Sequence, residues 1–235
     1  MYLTIQGIVL RVTDYNDKDA LLTMLTRRHG RLTVKARGLR RKNSPLIAPC
    51  QLLAYGEFTL FEYRGQYTIN EAQSIELFTP LRRDLTKLSL GTYFAQVSEV
   101  ISQEDMPNPE LQSLLLNCLY ALSKLDLPES QVKAVFELRA ACLSGYTPDL
   151  TGCHVCGSQT PERFDLSAGM LECRNCRSPE SNGIRMPVPP SVLEAMRYIC
   201  YCDSKKLFSF QAGEDTLQQL SEVTEAYLSL IHISE

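Results

Sequence analysis

Histidine is scarce: three residues in 235, far apart at positions 29, 154 and 232. No histidine-centred catalytic constellation can be assembled from that spacing. A Gly-x4-Gly-Lys-Ser/Thr loop for nucleoside triphosphates is missing, and so is the Gly-x-Ser-x-Gly turn of a serine hydrolase. Carboxylates cluster densely only in DYNDKD (Asp14, Asp17, Asp19), which reads as a polar hairpin loop rather than the metal site of a nuclease. No catalytic constellation appears. No run reaches the roughly 18 apolar residues of a membrane helix, so no membrane partner is expected. The opening MYLTIQGIVLRVTDYNDKD lacks the charged-then-apolar pattern of a signal peptide. A cytoplasmic protein is therefore expected, and its nine cysteines must be explained without structural disulfides.

Hydrophobic residues make up 44% of the chain and charged residues 22%, the balance of a soluble, globular protein. A chain of this length is long for one core, and its charge suggests two parts. Residues 1–80 hold 11 Lys/Arg against 7 Asp/Glu, whereas residues 81–235 hold 13 against 20. Such asymmetry points to a polyanionic partner for the first part.

Hydrophobic patterning also changes near Pro80. Before it, LTIQGIVLRVT, then two runs flanking His29-Gly30, then two more flanking Arg64-Gly65, read as five short strands. That strand count and size fit the OB-fold. After Pro80, apolar residues recur at helical spacing, as at Leu81, Leu85, Leu88, Tyr93, Val97, Val100 and Ile101. Two more helices follow in NPELQSLLLNCLYALSKL and PESQVKAVFELRAACLSG, the last capped at Gly145. Residues 151–185 read as a cysteine-rich loop, and after them VLEAMRYICYC and EDTLQQLSEVTEAYLSLI close the chain as helices. The expected architecture is α+β and multidomain. An OB-fold barrel occupies residues 1–80, and a helical domain occupies 81–235 with a cysteine module at about 151–185.

CHVCGSQTPERFDLSAGMLECRNC places Cys153-x2-Cys156 sixteen residues before Cys173-x2-Cys176. Two such turns each present a pair of sulfurs to one ion, so one structural Zn²⁺ is expected. Four thiolates leave no open position for a catalytic water. A redox Cys-x-x-Cys needs only one pair, and a base deaminase needs a His-x-Glu that CHVCG lacks. His154 is expected to point away from the metal. Cys50, Cys118, Cys142, Cys200 and Cys202 show no paired spacing and read as ordinary buried thiols; CYC at 200–202 would place its sulfurs on different helix faces.

The stretch RRHGRLTVKARGLRRKN carries eight of the 24 basic residues, and no acid occurs between Ala20 and Gly56. In RLTVKAR the alternation sends Leu32, Val34 and Ala36 to one side and Arg31, Thr33, Lys35 and Arg37 to the other. Together with Arg27, Arg28, Arg40, Arg41 and Lys42 these form the footprint expected of a phosphate-backbone partner. The rival uses are an acidic protein partner or plain solvated surface. Tyr15, Tyr55, Phe58, Tyr63 and Tyr67 lie in the same part, and sequence alone does not separate base-stacking aromatics from core ones.

The assembled features resemble the RecO family of bacterial DNA recombination and repair mediators. The resemblance is carried by GIVLRVTDYNDKDALLTMLTRRHGRLTVKARGLRRKNS, LAYGEFTLFEY, LRRDLTKLSLGTYFAQVSEV, ELRAACLSGYTPDLTGCHVCG and PVPPSVLEAMRYI, and covers nearly the whole chain. It implies a non-enzymatic protein, cytoplasmic and associated with the nucleoid. Such a protein binds single- and double-stranded DNA and anneals complementary strands. With RecR it helps load RecA onto DNA coated by single-strand binding protein, whose C-terminal tail docks on the helical domain. The DNA role maps to Arg27, Arg28, Arg31, Lys35, Arg37, Arg40, Arg41 and Lys42, and the zinc role to Cys153, Cys156, Cys173 and Cys176. Family members usually continue in a basic segment after the last helix, so the end AYLSLIHISE reads as truncated or replaced. The alternative is a zinc-containing RNA-binding or translation-associated OB-fold protein.

Overall fold

The computed structural model describes residues 1–176 and 183–233. Part of the expected cysteine module, 177–182, and the last two residues of the unusual C-terminal end lie outside the described residues. Five strands, β1 (Tyr2–Asp14), β2 (Ala20–Thr26), β3 (Gly30–Ala36), β4 (Tyr55–Tyr63) and β5 (Gln66–Glu76), close into a barrel in the order β1-β2-β3-β5-β4. The thirteen-residue β1 makes closure possible. Its first half pairs with β4 and its second half with β2, and a bulge between Val9 and Arg11 lets it bend from one to the other. The seam is a short parallel pairing of β3 with β5 at Val34–Tyr67 and Lys35–Thr68.

Alternation fills the barrel. Ile5, Val9, Leu22, Met24, Leu32, Val34, Phe58, Leu60 and Ile69 all point inward. The connection 37–54 carries no strand, yet Leu39, Leu46 and Cys50 fold back onto the same core. The expected hairpins at His29-Gly30 and Arg64-Gly65 are both present, each with its glycine at positive φ.

Two helices complete the first compact unit, Met1–Asp126. Helix α1 (Leu85–Ile101) starts at Asp84, whose carboxylate accepts the Lys87 N–H at 3.1 Å. Helix α2 (Pro109–Lys124) starts at Asn108 in the same way and has Pro at its first turn. Gly91 permits a close approach: a Cβ there would lie 2.9 Å from Leu53 Cδ1 and 3.2 Å from Leu119 Cδ2. Gln112 on α2 donates to the β2 carbonyl of Leu25 at 3.1 Å, which ties α2 to the barrel. The last barrel strand ends at Glu76, and the compact unit runs on to Asp126, with α1 packed on β1 and β2 and α2 packed on β2.

The expected apolar stripe of the first helix needs correction. Residues Thr79–Arg83 form a separate 3₁₀ turn, so Leu81 lies outside α1. Leu85 and Val100 are 82% and 62% exposed, and the packed face is Gly91, Phe94, Ala95, Val97 and Ser98.

The second unit, Leu127–Glu235, holds α3 (Glu129–Leu143), α4 (Pro190–Tyr201) and α5 (Glu214–Ile233). Helix α3 is buried on most sides by α4 and α5. Its Glu137, fully buried, is paired with Lys133 at 3.1 Å and accepts the Thr224 hydroxyl at 2.8 Å. The described residues of 151–185 are not loop throughout. Strands β6 (Asp149–Cys153), β7 (Arg163–Asp165), β8 (Met170–Glu172) and β9 (Arg185–Pro187) make a small sheet in the order β6-β8-β7-β9. Among the described residues, no helix is long and apolar enough to cross a membrane.

Candidate functional site

The eight basic side chains of 27–42 divide into paired and unpaired sets. Alternation along β3 holds as expected, with Leu32, Val34 and Ala36 buried. Arg31 and Lys35, on the other face, are half-buried and already engaged. Arg31 donates to the Glu99 carbonyl at 2.8 Å and lies 4.0 Å from the Glu104 carboxylate. Its backbone N–H also donates to the Gln103 carbonyl at 3.0 Å. Lys35 lies 3.5 Å from Asp19 and 4.2 Å above the Tyr15 ring. Arg40 pairs with Asp14 at 2.7 Å.

The acids of DYNDKD therefore have a structural use. Asp19 accepts the Gly38 N–H at 2.8 Å, a contact from Asn16 at 3.2 Å, and the Lys35 charge. The Gly38 bond foremost, then those of Asn16 and Lys35, hold its carboxyl below the ordinary range. Asp14 and Asp19 fasten the β1–β2 loop to the turns that follow β3. Among the described residues, only the four-cysteine group has the arrangement of a metal site.

Arg27, Arg28, Arg37, Arg41 and Lys42 are exposed and have no ion pair among the described residues. They form two poles. Arg27 and Arg28 sit on the β2–β3 turn, where the Thr26 hydroxyl donates to the Gly30 carbonyl and accepts the His29 N–H. They border a groove with Thr4, Gln6, His29 and Glu57. Arg37, Arg41 and Lys42 sit beyond the other end of β3, with Arg41 folded over Gly38. Seven residues of strand separate the poles by about 20 Å, a span of several nucleotides.

The barrel also sorts its aromatics. Phe58 is wholly buried and Tyr67 packs against the core. Tyr55 is half-buried and donates its hydroxyl to Gln6 at 3.1 Å. Tyr15 and Tyr63 are exposed, and Tyr63 carries Arg64 at 5.2 Å from its ring. Two exposed aromatics escaped the sequence reading. Tyr2 and Phe61, cross-strand neighbours on β1 and β4, are 63% and 41% exposed with ring centroids 5.4 Å apart. A signal for Phe61 was available: with Phe58 and Leu60 inward, a period of two turns Thr59, Phe61 and Tyr63 outward.

In the second unit the four expected cysteines converge. Their sulfurs all lie within 4.8 Å of one another, with Cys156 and Cys173 at 3.7 Å. A regular tetrahedron with Zn–S bonds of about 2.3 Å has edges of about 3.8 Å. Gly157, at positive φ, closes the first knuckle by donating to the Cys153 carbonyl at 2.8 Å. The Cys173 N–H points at Cys153 Sγ at 3.3 Å, and the Cys176 N–H closes the second knuckle on the Cys173 carbonyl at 3.1 Å.

Burial opposes ionisation of Cys153, but the N–H groups of Cys156, Cys173 and Val155 prevail and hold its thiol down at about 6. Contact with Cys156, then burial and the neighbouring sulfurs, push Cys176 up to about 12. Four thiols this close cannot all ionise unless a cation shares their charge, so the donor set fits Zn²⁺. Zinc held by Cys153, Cys156, Cys173 and Cys176 would cross-link the sheet, with no position left for substrate. His154 is turned elsewhere, its ring nitrogens 3.2 Å from the Leu171 carbonyl and 3.9 Å from Glu172.

Comparison with known proteins identifies the family. Residues 1–78 match the family model for the recombination protein O N terminal, and residues 82–230 match the model for its C terminal. The chain is 33% identical over 233 residues to DNA repair protein RecO of Acetivibrio thermocellus, covering 97% of this chain and 90% of that protein. It is 29% identical to DNA repair protein RecO of Alkaliphilus metalliredigens, covering 99% and 94%. DNA repair protein RecO of Bacillus subtilis is also 29% identical, with 94% and 86% covered. Both family models, matched in succession over residues 1–78 and 82–230, and a relative 33% identical over 97% of the chain place this chain in the RecO family.

Proposed function

We propose that this protein is a recombination mediator of DNA repair, binding single- and double-stranded DNA through its barrel and annealing complementary strands. The observation that carries the reading is the set of five unpaired basic side chains, Arg27, Arg28, Arg37, Arg41 and Lys42, in two poles along one hairpin. Annealing brings two polyanions together. Basic poles lower the repulsion between them and release condensed counterions. The exposed pair Tyr2–Phe61 and the exposed Tyr63 offer stacking surfaces for unpaired bases on the same barrel. Arg31, Lys35 and Arg40 serve this role less directly, because each must share its charge with an acid.

In this reading the protein acts with RecR to load RecA onto strands coated by single-strand binding protein, whose C-terminal tail it engages. It has no catalytic centre, works in the cytoplasm at the nucleoid, and keeps one structural Zn²⁺ at Cys153, Cys156, Cys173 and Cys176. Support comes from family membership and from a site built for backbone charge rather than bond cleavage.

The test is strand annealing followed with labelled complementary oligonucleotides. The wild-type protein is expected to accelerate annealing, and Arg37→Glu/Arg41→Glu/Lys42→Glu to abolish it with the fold intact. Unchanged annealing in that variant would sink the assignment. Preferential binding of an RNA strand over the matched DNA strand would move the protein to RNA work instead.

A further inference from the structure

Five cysteines lie outside the four-sulfur cluster, and four of them fall into two kinds. Cys50 and Cys118 are buried in apolar surroundings that push their thiols up, Cys50 to about 12. Such thiols are inert. Cys142 and Cys200 touch one another, and although the Cys142 sulfur and then burial push the Cys200 thiol up, the first of these causes is lost once Cys142 is tied into a disulfide. Cys142 lies on the last turn of α3, partly open to solvent, and Cys200 lies near the end of α4, buried directly behind it. Their sulfurs are 3.8 Å apart. Arg139, one turn before Cys142, donates to the backbone carbonyls of Cys200 and Cys202 and so fixes the end of α4 against α3. Contact with the Cys200 sulfur holds the Cys142 thiol down at about 7; burial opposes this, and the Thr147 hydroxyl and the Arg139 charge assist.

We propose that Cys142 and Cys200 form a thiol–disulfide exchange site, with Cys142 as the attacking sulfur, Cys200 as the resolving one, and a low-molecular-weight disulfide as oxidant. The Cys142 thiolate attacks one sulfur of the small disulfide. A mixed disulfide forms at Cys142, the small S–S bond breaks, and one small thiolate leaves and takes up a proton. Cys200 then gives up its proton and attacks Cys142 Sγ, expelling the second small thiol. Two protein thiols are oxidised to one disulfide, and one small disulfide is reduced to two thiols. The sulfurs need to close from 3.8 Å to about 2.05 Å.

The arrangement has the three features such chemistry needs. The attacking sulfur is reachable from solvent and has a cation nearby. Its partner is buried, so the mixed disulfide is resolved from within rather than by a second small molecule. The link would staple α3 to α4 and leave Cys153, Cys156, Cys173 and Cys176 untouched. A reducing cytosol keeps the pair as thiols, and a rise in small disulfides would close it.

The test uses the full zinc-loaded chain exposed to oxidised glutathione, with non-reducing peptide mapping and zinc content read in parallel. One cross-link, Cys142–Cys200, is expected with zinc retained. Cys142 should be modified at least about tenfold faster than Cys50. Cys200→Ala should accumulate glutathione on Cys142, and Cys142→Ser should accumulate neither adduct nor cross-link. Those two variants fail in opposite ways, so misfolding of one cannot mimic the pattern. A lasting glutathione adduct on wild-type Cys142, a cross-link from Cys142 to Cys202, or equal labelling of Cys142 and Cys50 would overturn the proposal.

Discussion

The barrel and the β6–β9 sheet answer the same problem with different materials. The barrel closes five strands of seven to thirteen residues around Leu22, Met24, Val34, Phe58 and Leu60. Apolar burial holds it, so five basic side chains can stay outside, free of acids. In the small sheet, three of the four strands are only three residues long. So short a strand buries at most two side chains. Charge and sulfur are used inside instead. Arg185 sits between Glu172 at 2.8 Å and Asp165 at 3.6 Å, both acids buried, and the four cysteines gather at the strand ends. Where the apolar core is large, charge remains available for a partner; where it is small, charge and metal ligands are consumed by the fold.

The largest break in this contrast should come from the metal. Chelation, or Cys173→Ser/Cys176→Ser, is expected to remove about one zinc per chain and with it the hydrogen-exchange protection of β6–β8, while β1–β5 stay protected. Loss of protection in both units together would show that the two folds are not independent. The barrel's counterpart is Phe58→Ala, expected to cost about 3–5 kcal/mol by chemical denaturation, with no change in zinc content.

A smaller effect separates the two classes of barrel cation. Arg37→Glu/Arg41→Glu/Lys42→Glu should weaken single-stranded DNA binding by at least about tenfold at almost unchanged melting temperature. Arg31→Gln/Lys35→Gln should do the reverse, lowering the melting temperature more than the affinity. Equal effects of the two variants on DNA would mean that paired and unpaired cations do not differ in use.

The smallest expected effect lies at Asp19. Its carboxyl is held below the ordinary 3.8, first by the Gly38 N–H. A depressed folded value contributes stability that is present above the ordinary value and is lost as pH falls through the folded one. Wild type should therefore exceed Asp19→Asn in melting temperature at neutral pH, and the gap should narrow below about pH 3.8. A gap constant with pH would assign the Asp19 contribution to something other than its charge.

What could be read from sequence followed the range over which each signal acts. Alternation in RLTVKAR and the turn glycines at 30 and 65 are local, and they located the hairpins. The spacing of Cys153, Cys156, Cys173 and Cys176 is semi-local, and the four sulfurs do meet. The β6–β9 sheet was illegible because three residues cannot display a period. Leu85 and Val100 misled because apolar residues at helical spacing mark a packed face only where a neighbour covers them. The pairings of Arg40 with Asp14 and Lys35 with Asp19 were hidden for another reason. They join residues 26 and 16 apart in sequence, so an acid-free basic stretch looked freer than it is. The Cys142–Cys200 contact, across two helices, was equally out of reach.

The central claim is that the unpaired cations of the barrel bind nucleic-acid backbone. Its most direct test is a titration of labelled single-stranded DNA at several salt concentrations, with wild type beside Arg37→Gln/Arg41→Gln/Lys42→Gln. The account predicts affinity that falls steeply with salt, and a slope shallower in the variant by about 0.7 for each phosphate contact removed. An identical slope in both proteins, or no binding by wild type at low salt, would contradict it.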